Sequence, residues 1–142
     1  MATVELTFSA LPAHVRTARL VATAIARRTG VSEALLDEVR LAVGEACSRA
    51  VEAHRVHCPG EPIVIELRDD SGRFEVTVTD VAPSDDLQQP VIPTDGTLVP
   101  EMPGLGIAVI AGLADDVEVS SGAKGMRIRM SWPASPNGVA AV

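Results

Sequence analysis

The stretch Arg40 to His54, RLAVGEACSRAVEAH, has the residue spacing of a long helix and decides how the chain is interpreted. Its apolar residues recur every three or four positions, as on the buried face of a helix. Glu45, Ser48, Arg49 and Glu52 instead share one polar face. Such faces are usually solvated, and Glu45 and Arg49 are spaced for an ion pair. The polar face becomes a candidate site only if other segments indicate the same chemistry.

Composition limits the class of protein. The chain has 142 residues, of which 46% are hydrophobic and 2% aromatic, which predicts one aliphatic core. A formal net charge of −7 argues against a protein that coats nucleic acid or an anionic membrane. The sequence shows neither a signal-peptide pattern nor an apolar run of membrane-spanning length, so we expect a cytoplasmic location. Cys47 and Cys58 are expected to be free thiols without a catalytic role.

Hydrophobic periodicity predicts a strand at residues 4–8 and two helices, one from Pro12 to Gly30 and one beginning at Ser32. Two strands joined by a tight turn follow at residues 63–69 and 73–80, and a third helix, a strand and a final strand occupy residues 104–132. The residues predicted to face the core from the first two helices are Leu11, Val15, Ala18, Ala22 and Ile25, and Leu35, Val39, Ala42, Val43 and Ala46.

Long helices beside hairpin-connected strands favour an α+β two-layer sandwich. In the strand at residues 73–80, the period of two places Asp80 on the same inward face as Phe74, Val76 and Val78. The final strand is predicted to alternate, with Met126, Ile128, Met130 and Trp132 inward and Arg127, Arg129 and Ser131 outward. We predict a single domain at residues 1–133, with a proline-rich flap at 81–103 and a flexible tail at 134–142.

Three weak signals occur together in this order. They are Glu45 on a helix face, Asp80 at the inward end of a strand, and Gly104 and Gly106 before a helix. The segments 36-LDEVRLAVGEACSRAV-51 and 104-GLGIAVIAGLADDVEV-119 resemble two motifs of the GHKL, or Bergerat-fold, ATPases. These motifs are the helix with Glu-Ala-x-x-Asn-Ala and the glycine box. The resemblance is closest to the anti-sigma-factor serine kinases of the RsbW and SpoIIAB type and covers nearly the whole chain.

The resemblance implies a Bergerat sandwich, in which about three helices cover a mixed, mostly antiparallel sheet. It also implies ATP or ADP as a ligand, and a sigma factor or a STAS-domain anti-sigma antagonist as the protein partner. Members of the family commonly pair, so a homodimer is a further expectation. Direct nucleic-acid and membrane binding are not expected.

By the same resemblance, Asp80 accepts a hydrogen bond from the adenine amino group, and Glu45 is a possible general base. The backbone at Gly104, Leu105 and Gly106 faces the phosphates at a helix N-terminus, where anions are favoured. A further glycine of the nucleotide site is Gly125.

The chain departs from the family at three positions. Arg49 replaces the Asn that binds magnesium, and an arginine side chain has only donors and a positive charge. Arg49 could instead contact a phosphate. Ala82 and Ser84 replace two glycines after Asp80, and Met126 replaces the Thr that follows Gly125. Magnesium is therefore not expected to bind in the way it does in the family.

Three hypotheses follow. The first is a regulator with a degenerate ATP site and weak or no kinase activity, acting in a partner-switching system. The second is an active serine kinase in which Arg49 takes the place of the metal. The third is a metal-binding module at His54, His57 and Cys58, although these residues lack a second ligand pair at zinc-site spacing.

Basic residues also form two surface groups, one of Arg16, Arg19 and Arg27 on the first helix and one of Arg127 and Arg129 on the last strand. Either group could meet an acidic partner or simply balance an acidic surface.

Overall fold

The helices and strands occur in the order predicted from periodicity. A computed structural model describes residues 2–83 and 105–135, and these ranges contain three helices and five strands. The elements are β1 (Ala2–Phe8), α1 (Pro12–Thr29), α2 (Glu33–His57), β2 (Ile63–Asp70), β3 (Arg73–Thr79), α3 (Leu105–Leu113), β4 (Asp116–Gly122) and β5 (Gly125–Pro133). Both the α+β class and the two-layer architecture are confirmed, with an aliphatic core between the helices and the sheet.

The five strands form one sheet in the order β1-β2-β3-β5-β4. Every pair of neighbouring strands is antiparallel. The resemblance implied a mixed, mostly antiparallel sheet, whereas the described sheet is entirely antiparallel. The reason is that β4 lies at the edge and the β4–β5 hairpin returns β5 between β3 and β4, which keeps the parallel β3 and β4 apart.

Small side chains shape the contact between the helices. α1 packs against α2, and the buried positions of α1 are Val15, Ala18, Ala22, Ala26 and Thr29. Alanines on both helices allow the two backbones to approach closely, because interiors are packed to crystalline density. Trp132 of β5 supplies most of the aromatic bulk, and its indole N–H donates to the Leu113 carbonyl at 3.1 Å. The third helix is thereby attached to the sheet.

Two positions predicted to face the core were wrong. Leu11 is 52% exposed, because it precedes the first turn of α1 and does not belong to its inner face. In α2, Leu36 is buried in place of the predicted Leu35, which is only half-buried. Ser131 lies on the outer face of β5, as predicted, and is nevertheless buried, because Arg73 reaches over it and donates to its hydroxyl at 2.7 Å.

The outer face of the sheet is held by ion pairs instead of apolar contacts. Arg129 of β5 donates to Glu75 of β3 at 2.9 Å and pairs with Glu118 of β4 at 3.1 Å. Because Glu118 is directly opposite Arg129 in the strand register, the ion pair stabilises the β4–β5 pairing. Arg129 is thus engaged within the sheet, which weakens its assignment to a partner-binding group.

Part of the predicted flap and tail lies outside the described residues, at 84–103 and 136–142. The first two residues of the predicted tail are attached to the domain. Ala134 donates its N–H to the Gly72 carbonyl at 2.9 Å, and Ser135 donates to the Gly30 carbonyl at 3.0 Å. Within the described ranges, no helix has the length and apolar character needed to cross a membrane.

We predict that Ala22→Leu lowers the free energy of unfolding by about 1–3 kcal/mol, because Ala22 is fully buried and a larger side chain overpacks the core. Ala24→Leu on the exposed side of the same helix is the control and should change it by less than about 0.5 kcal/mol. Urea denaturation followed by the fluorescence of the single tryptophan measures both variants. Equal effects of the two substitutions would contradict the packing of α1.

Candidate functional site

Asp80 is held at the point where β3 ends and β5 begins. Its carboxylate oxygen Oδ1 accepts hydrogen bonds from the N–H of Ala82 at 3.1 Å and from the N–H of Met126 at 3.2 Å. The N–H of Asp80 itself donates to the Met126 carbonyl at 2.9 Å. Asp80 is only 6% exposed. The inward orientation predicted for this residue is confirmed.

Burial raises the pKa of the Asp80 carboxyl above its ordinary value. The hydrogen bonds from Met126 and Ala82 and the positive charge of Arg49 act in the opposite direction without cancelling that effect. No hydrogen bond to the second oxygen, Oδ2, occurs among the described residues. This half of the carboxylate is therefore suited to accept a hydrogen bond from a ligand.

Gly125 makes the close approach of β5 to Asp80 possible. Its φ of 124° lies in the range that L residues avoid, and a Cβ at this position would overlap the Asp80 carbonyl oxygen and lie 2.7 Å from the Val81 Cα. Any side chain would therefore push the start of β5 away from the carboxylate. Gly125 thus has a clear structural role, while its proposed contact with a nucleotide stays a prediction.

His54 is part of this site, and sequence reasoning missed it. The imidazole is fully buried in the last turns of α2. Its Nδ1 lies 2.8 Å from the Glu61 carbonyl, and its Nε2 accepts the N–H of Val81 at 3.0 Å. The sequence indicates His54 only as a candidate metal ligand. Its contact with Val81 joins two segments that are distant in the chain, so residue spacing does not predict it.

The polar face of α2 meets the first turn of α3. A Cβ on Gly106 would lie 2.8 Å from the Glu45 Oε2 and 3.2 Å from the Arg49 Cδ. The structure therefore brings together three residues that the sequence singled out separately. Gly104 lies outside the described residues, and Leu105 is described only as the first residue of α3.

Arg49 connects this cluster to Asp80. Its Nη1 donates to the Met126 sulfur at 2.8 Å, and its positive charge lowers the pKa of the Asp80 carboxyl. The i, i+4 spacing also allowed an ion pair between Arg49 and Glu45. That pair does not form, because no ion pair to Glu45 occurs among the described side chains. Arg49 thus extends across the layer toward β5.

A shallow pocket of about 380 Å³ opens beside Asp80. Its walls are the end of β3 and the β4–β5 hairpin, and its lining includes Asp80, Ser120, Gly125 and Met126. Asp80 therefore borders both the interior contacts with β5 and an opening to solvent. A carboxylate in this position can recognise a donor group of a small molecule.

The two cysteines and the candidate metal ligand His54 have defined surroundings in the structure. Cys47 and Cys58 are free, as predicted. Burial raises the pKa of the Cys47 thiol to about 12, so it is protonated at neutral pH. Both ring nitrogens of His54 have protein partners, and no group of three metal-binding side chains occurs within the described ranges. These contacts argue against the metal-module hypothesis.

We predict that Asp80→Asn becomes progressively more stable than the wild-type protein as the pH rises above 3.8, the ordinary pKa of the carboxyl. In the wild-type protein, a raised pKa favours the protonated form on folding, so ionisation of Asp80 lowers the free energy of unfolding at higher pH. Urea denaturation at several pH values measures the difference between the two proteins. A difference that shrinks as the pH rises would contradict the raised pKa.

Most of the chain is similar in sequence to known proteins. The Histidine kinase-like ATPase domain family matches residues 8–132. The serine-protein kinase RsbW of Oceanobacillus iheyensis is 31% identical over 136 residues, covering 90% of this chain and 84% of that protein. The serine-protein kinase RsbW of Bacillus subtilis is 30% identical over 125 residues, covering 83% of this chain and 78% of that protein.

Two solved structures share the fold. The structure of the RsbU and RsbW domains of Rv1364c from Mycobacterium tuberculosis matches with a TM-score of 0.69 at 17% identity, over 94% of this chain. This chain spans 33% of that longer one. The histidine kinase domain from Erythrobacter litoralis EL346 matches with a TM-score of 0.52 at 19% identity, over 90% of this chain and 63% of its own.

The family match covers most of the sequence, the RsbW relatives align over most of their own length, and the helices and sheet have the same arrangement as an RsbW domain. The chain therefore belongs to the histidine kinase-like ATPase domain family and, within it, to the RsbW-like serine-protein kinases.

Proposed function

We propose that this protein is an anti-sigma-factor-like regulator of a cytoplasmic partner-switching system, with a degenerate ATP site and weak or no kinase activity. It binds a sigma factor, a STAS-domain anti-sigma antagonist, or both. The observation that carries the proposal is the contact between Arg49 and Met126, two residues that depart from the pattern of the family. The contact supports the proposal because, by the resemblance, Arg49 stands where the family has its magnesium ligand and brings a positive charge to that position.

The residues near Asp80 suit an adenine nucleotide. The carboxylate is buried, and its Oδ2 has no hydrogen bond among the described residues, so an amino group of a purine would complete its bonding. The N-terminus of α3 supplies backbone N–H groups and a favourable dipole for phosphates. Gly106 keeps that turn free of a side chain where it faces Glu45. ATP or ADP is therefore the proposed ligand.

The same residues do not suit a magnesium ion in the position that the family uses. A hard divalent cation takes oxygen ligands, and Arg49 offers nitrogen donors and a positive charge. No metal-binding cluster occurs within residues 2–83 and 105–135. Arg49 could instead pair with a phosphate of the nucleotide, as arginines commonly do. We therefore propose nucleotide binding that needs little magnesium.

One observation favours the active-kinase alternative. Glu45 forms no ion pair among the described residues and faces the first turn of α3, so its carboxylate could act as a base. In that reaction a serine oxygen of the partner attacks the γ-phosphorus, the bond to ADP breaks, and Glu45 takes the hydroxyl proton. The cationic assistance would come from Arg49, which is a weaker replacement for a bound metal.

We predict that the wild-type protein binds ATP with the same affinity in excess EDTA and in magnesium. Asp80→Asn should weaken binding about 10- to 100-fold, because a hydrogen bond to a charged group contributes about 1.5–3 kcal/mol. Arg49→Asn should weaken binding in EDTA and make it magnesium-dependent, since it restores an oxygen ligand. Isothermal titration calorimetry measures all three proteins.

Arg55→Asn is the matched control, because Arg55 lies on α2 but its guanidinium is exposed and pairs only loosely with Glu52 at 3.8 Å. It should bind ATP as the wild-type protein does. Magnesium-dependent binding by the wild-type protein would contradict the degenerate site. A complete lack of ATP binding would leave protein binding as the remaining part of the proposal.

The partner is tested with purified sigma factors and STAS-domain proteins of the host, by size-exclusion chromatography and calorimetry. We expect a stable complex with at least one of them and no detectable transfer of radiolabelled phosphate from ATP to a STAS protein. Efficient transfer that Glu45→Gln abolishes would instead establish the active kinase. If no sigma factor or STAS protein binds, the partner-switching role is wrong.

A further inference from the structure

The imidazole of His54 has one defined hydrogen-bonding arrangement. A carbonyl oxygen can only accept, so the Nδ1 that lies 2.8 Å from the Glu61 carbonyl must carry a proton. The Nε2 accepts the N–H of Val81 at 3.0 Å and must therefore carry none. The ring is neutral in this arrangement, with its single proton on Nδ1. It connects the loop after α2 to the residue that follows Asp80.

Four backbone N–H groups lie at or next to Asp80 in the chain or in the sheet, and each has an identified acceptor. The N–H groups of Ala82 and Met126 donate to Oδ1, and the N–H of Asp80 donates to the Met126 carbonyl. His54 is the acceptor for the fourth, the N–H of Val81. It is the side chain that fixes the peptide between Asp80 and Val81, and this peptide leads directly from the carboxylate to the segment beyond residue 83.

We propose that His54 is a positioning residue of the nucleotide site. By accepting the Val81 N–H, it sets the orientation of the Asp80 peptide and so the direction in which Oδ2 faces a purine base. The inference rests on the proposed nucleotide binding for its functional part. Its structural part, the control of the Val81 peptide by His54, stands independently of any ligand.

Packing alone does not require a histidine here. A phenylalanine has nearly the same shape and would fill the same buried space, but it would leave the Val81 N–H and the Glu61 carbonyl without partners. A glutamine carries an acceptor oxygen at the reach of Nε2, so it can accept the Val81 N–H. The two substitutions therefore separate bulk from hydrogen bonding.

The experiment compares His54→Phe, His54→Gln and the wild-type protein. His57→Phe is the matched control, because His57 lies on the same helix and is exposed. The first readout is amide hydrogen exchange of Val81, measured by NMR against the amide of Val76 in the middle of β3. The second is the ratio of the affinities for ADP and GDP, which a loss of general stability would not change.

In His54→Phe we expect Val81 exchange to accelerate about tenfold or more relative to Val76. The preference for ADP over GDP should fall roughly tenfold, as expected when one hydrogen bond to the base is misaligned. His54→Gln should recover both values, and His57→Phe should match the wild-type protein. If His54→Phe does not fold, His54→Leu provides the same comparison.

Two results would overturn the proposal: Val81 exchange that is unchanged in His54→Phe, or an unchanged ADP-to-GDP ratio in a wild-type protein that does discriminate. The outcome in which the wild-type protein binds neither nucleotide contradicts the proposed nucleotide site instead. In that case Val81 exchange still tests whether His54 controls the Val81 peptide. Faster exchange in His54→Phe supports this control, and unchanged exchange refutes it.

Discussion

A buried carboxylate at the junction of β3 and β5 is the constraint on which the described site depends. Taking a carboxylate out of water costs several kcal/mol unless hydrogen bonds replace the lost solvent. Asp80 receives two such bonds on one oxygen, both from backbone N–H groups. The N–H of Ala82 is local in sequence, whereas the N–H of Met126 lies within reach because β5 approaches without a side chain at Gly125. The close approach of β5 to β3 therefore supplies a hydrogen bond that the buried carboxylate needs.

The two departures from the family pattern at Arg49 and Met126 are one physical change. A short amide and a hydroxyl are replaced by a long cation and a sulfur, and these two side chains contact each other at 2.8 Å across the two layers. The thioether is a soft acceptor that costs little to bury. This contact attaches α2 to β5, and under the proposed function it takes the place of metal coordination.

Much of the fold could be predicted because hydrophobic periodicity records burial directly. The inward position of Asp80 followed from the alternation of Phe74, Val76 and Val78, since strand side chains alternate without exception in a regular strand. The position of His54 could not be predicted in this way. Its two partners, Glu61 and Val81, lie in loops whose paths depend on tertiary packing and not on local spacing.

Local spacing also could not predict where the Arg49 side chain points, and its direction changes the interpretation of Glu45. The i, i+4 spacing favours an ion pair on an isolated helix by only about 0.2–0.5 kcal/mol, which a tertiary contact easily outweighs. Because Arg49 reaches Met126, the carboxylate of Glu45 is left facing Gly106 with no ion pair among the described residues. An arginine at position 49 therefore does not by itself disable the candidate base. Under the proposed function, weak or absent kinase activity would follow from poorer charge stabilisation of the phosphates, because phosphoryl transfer depends on that stabilisation more than on proton removal.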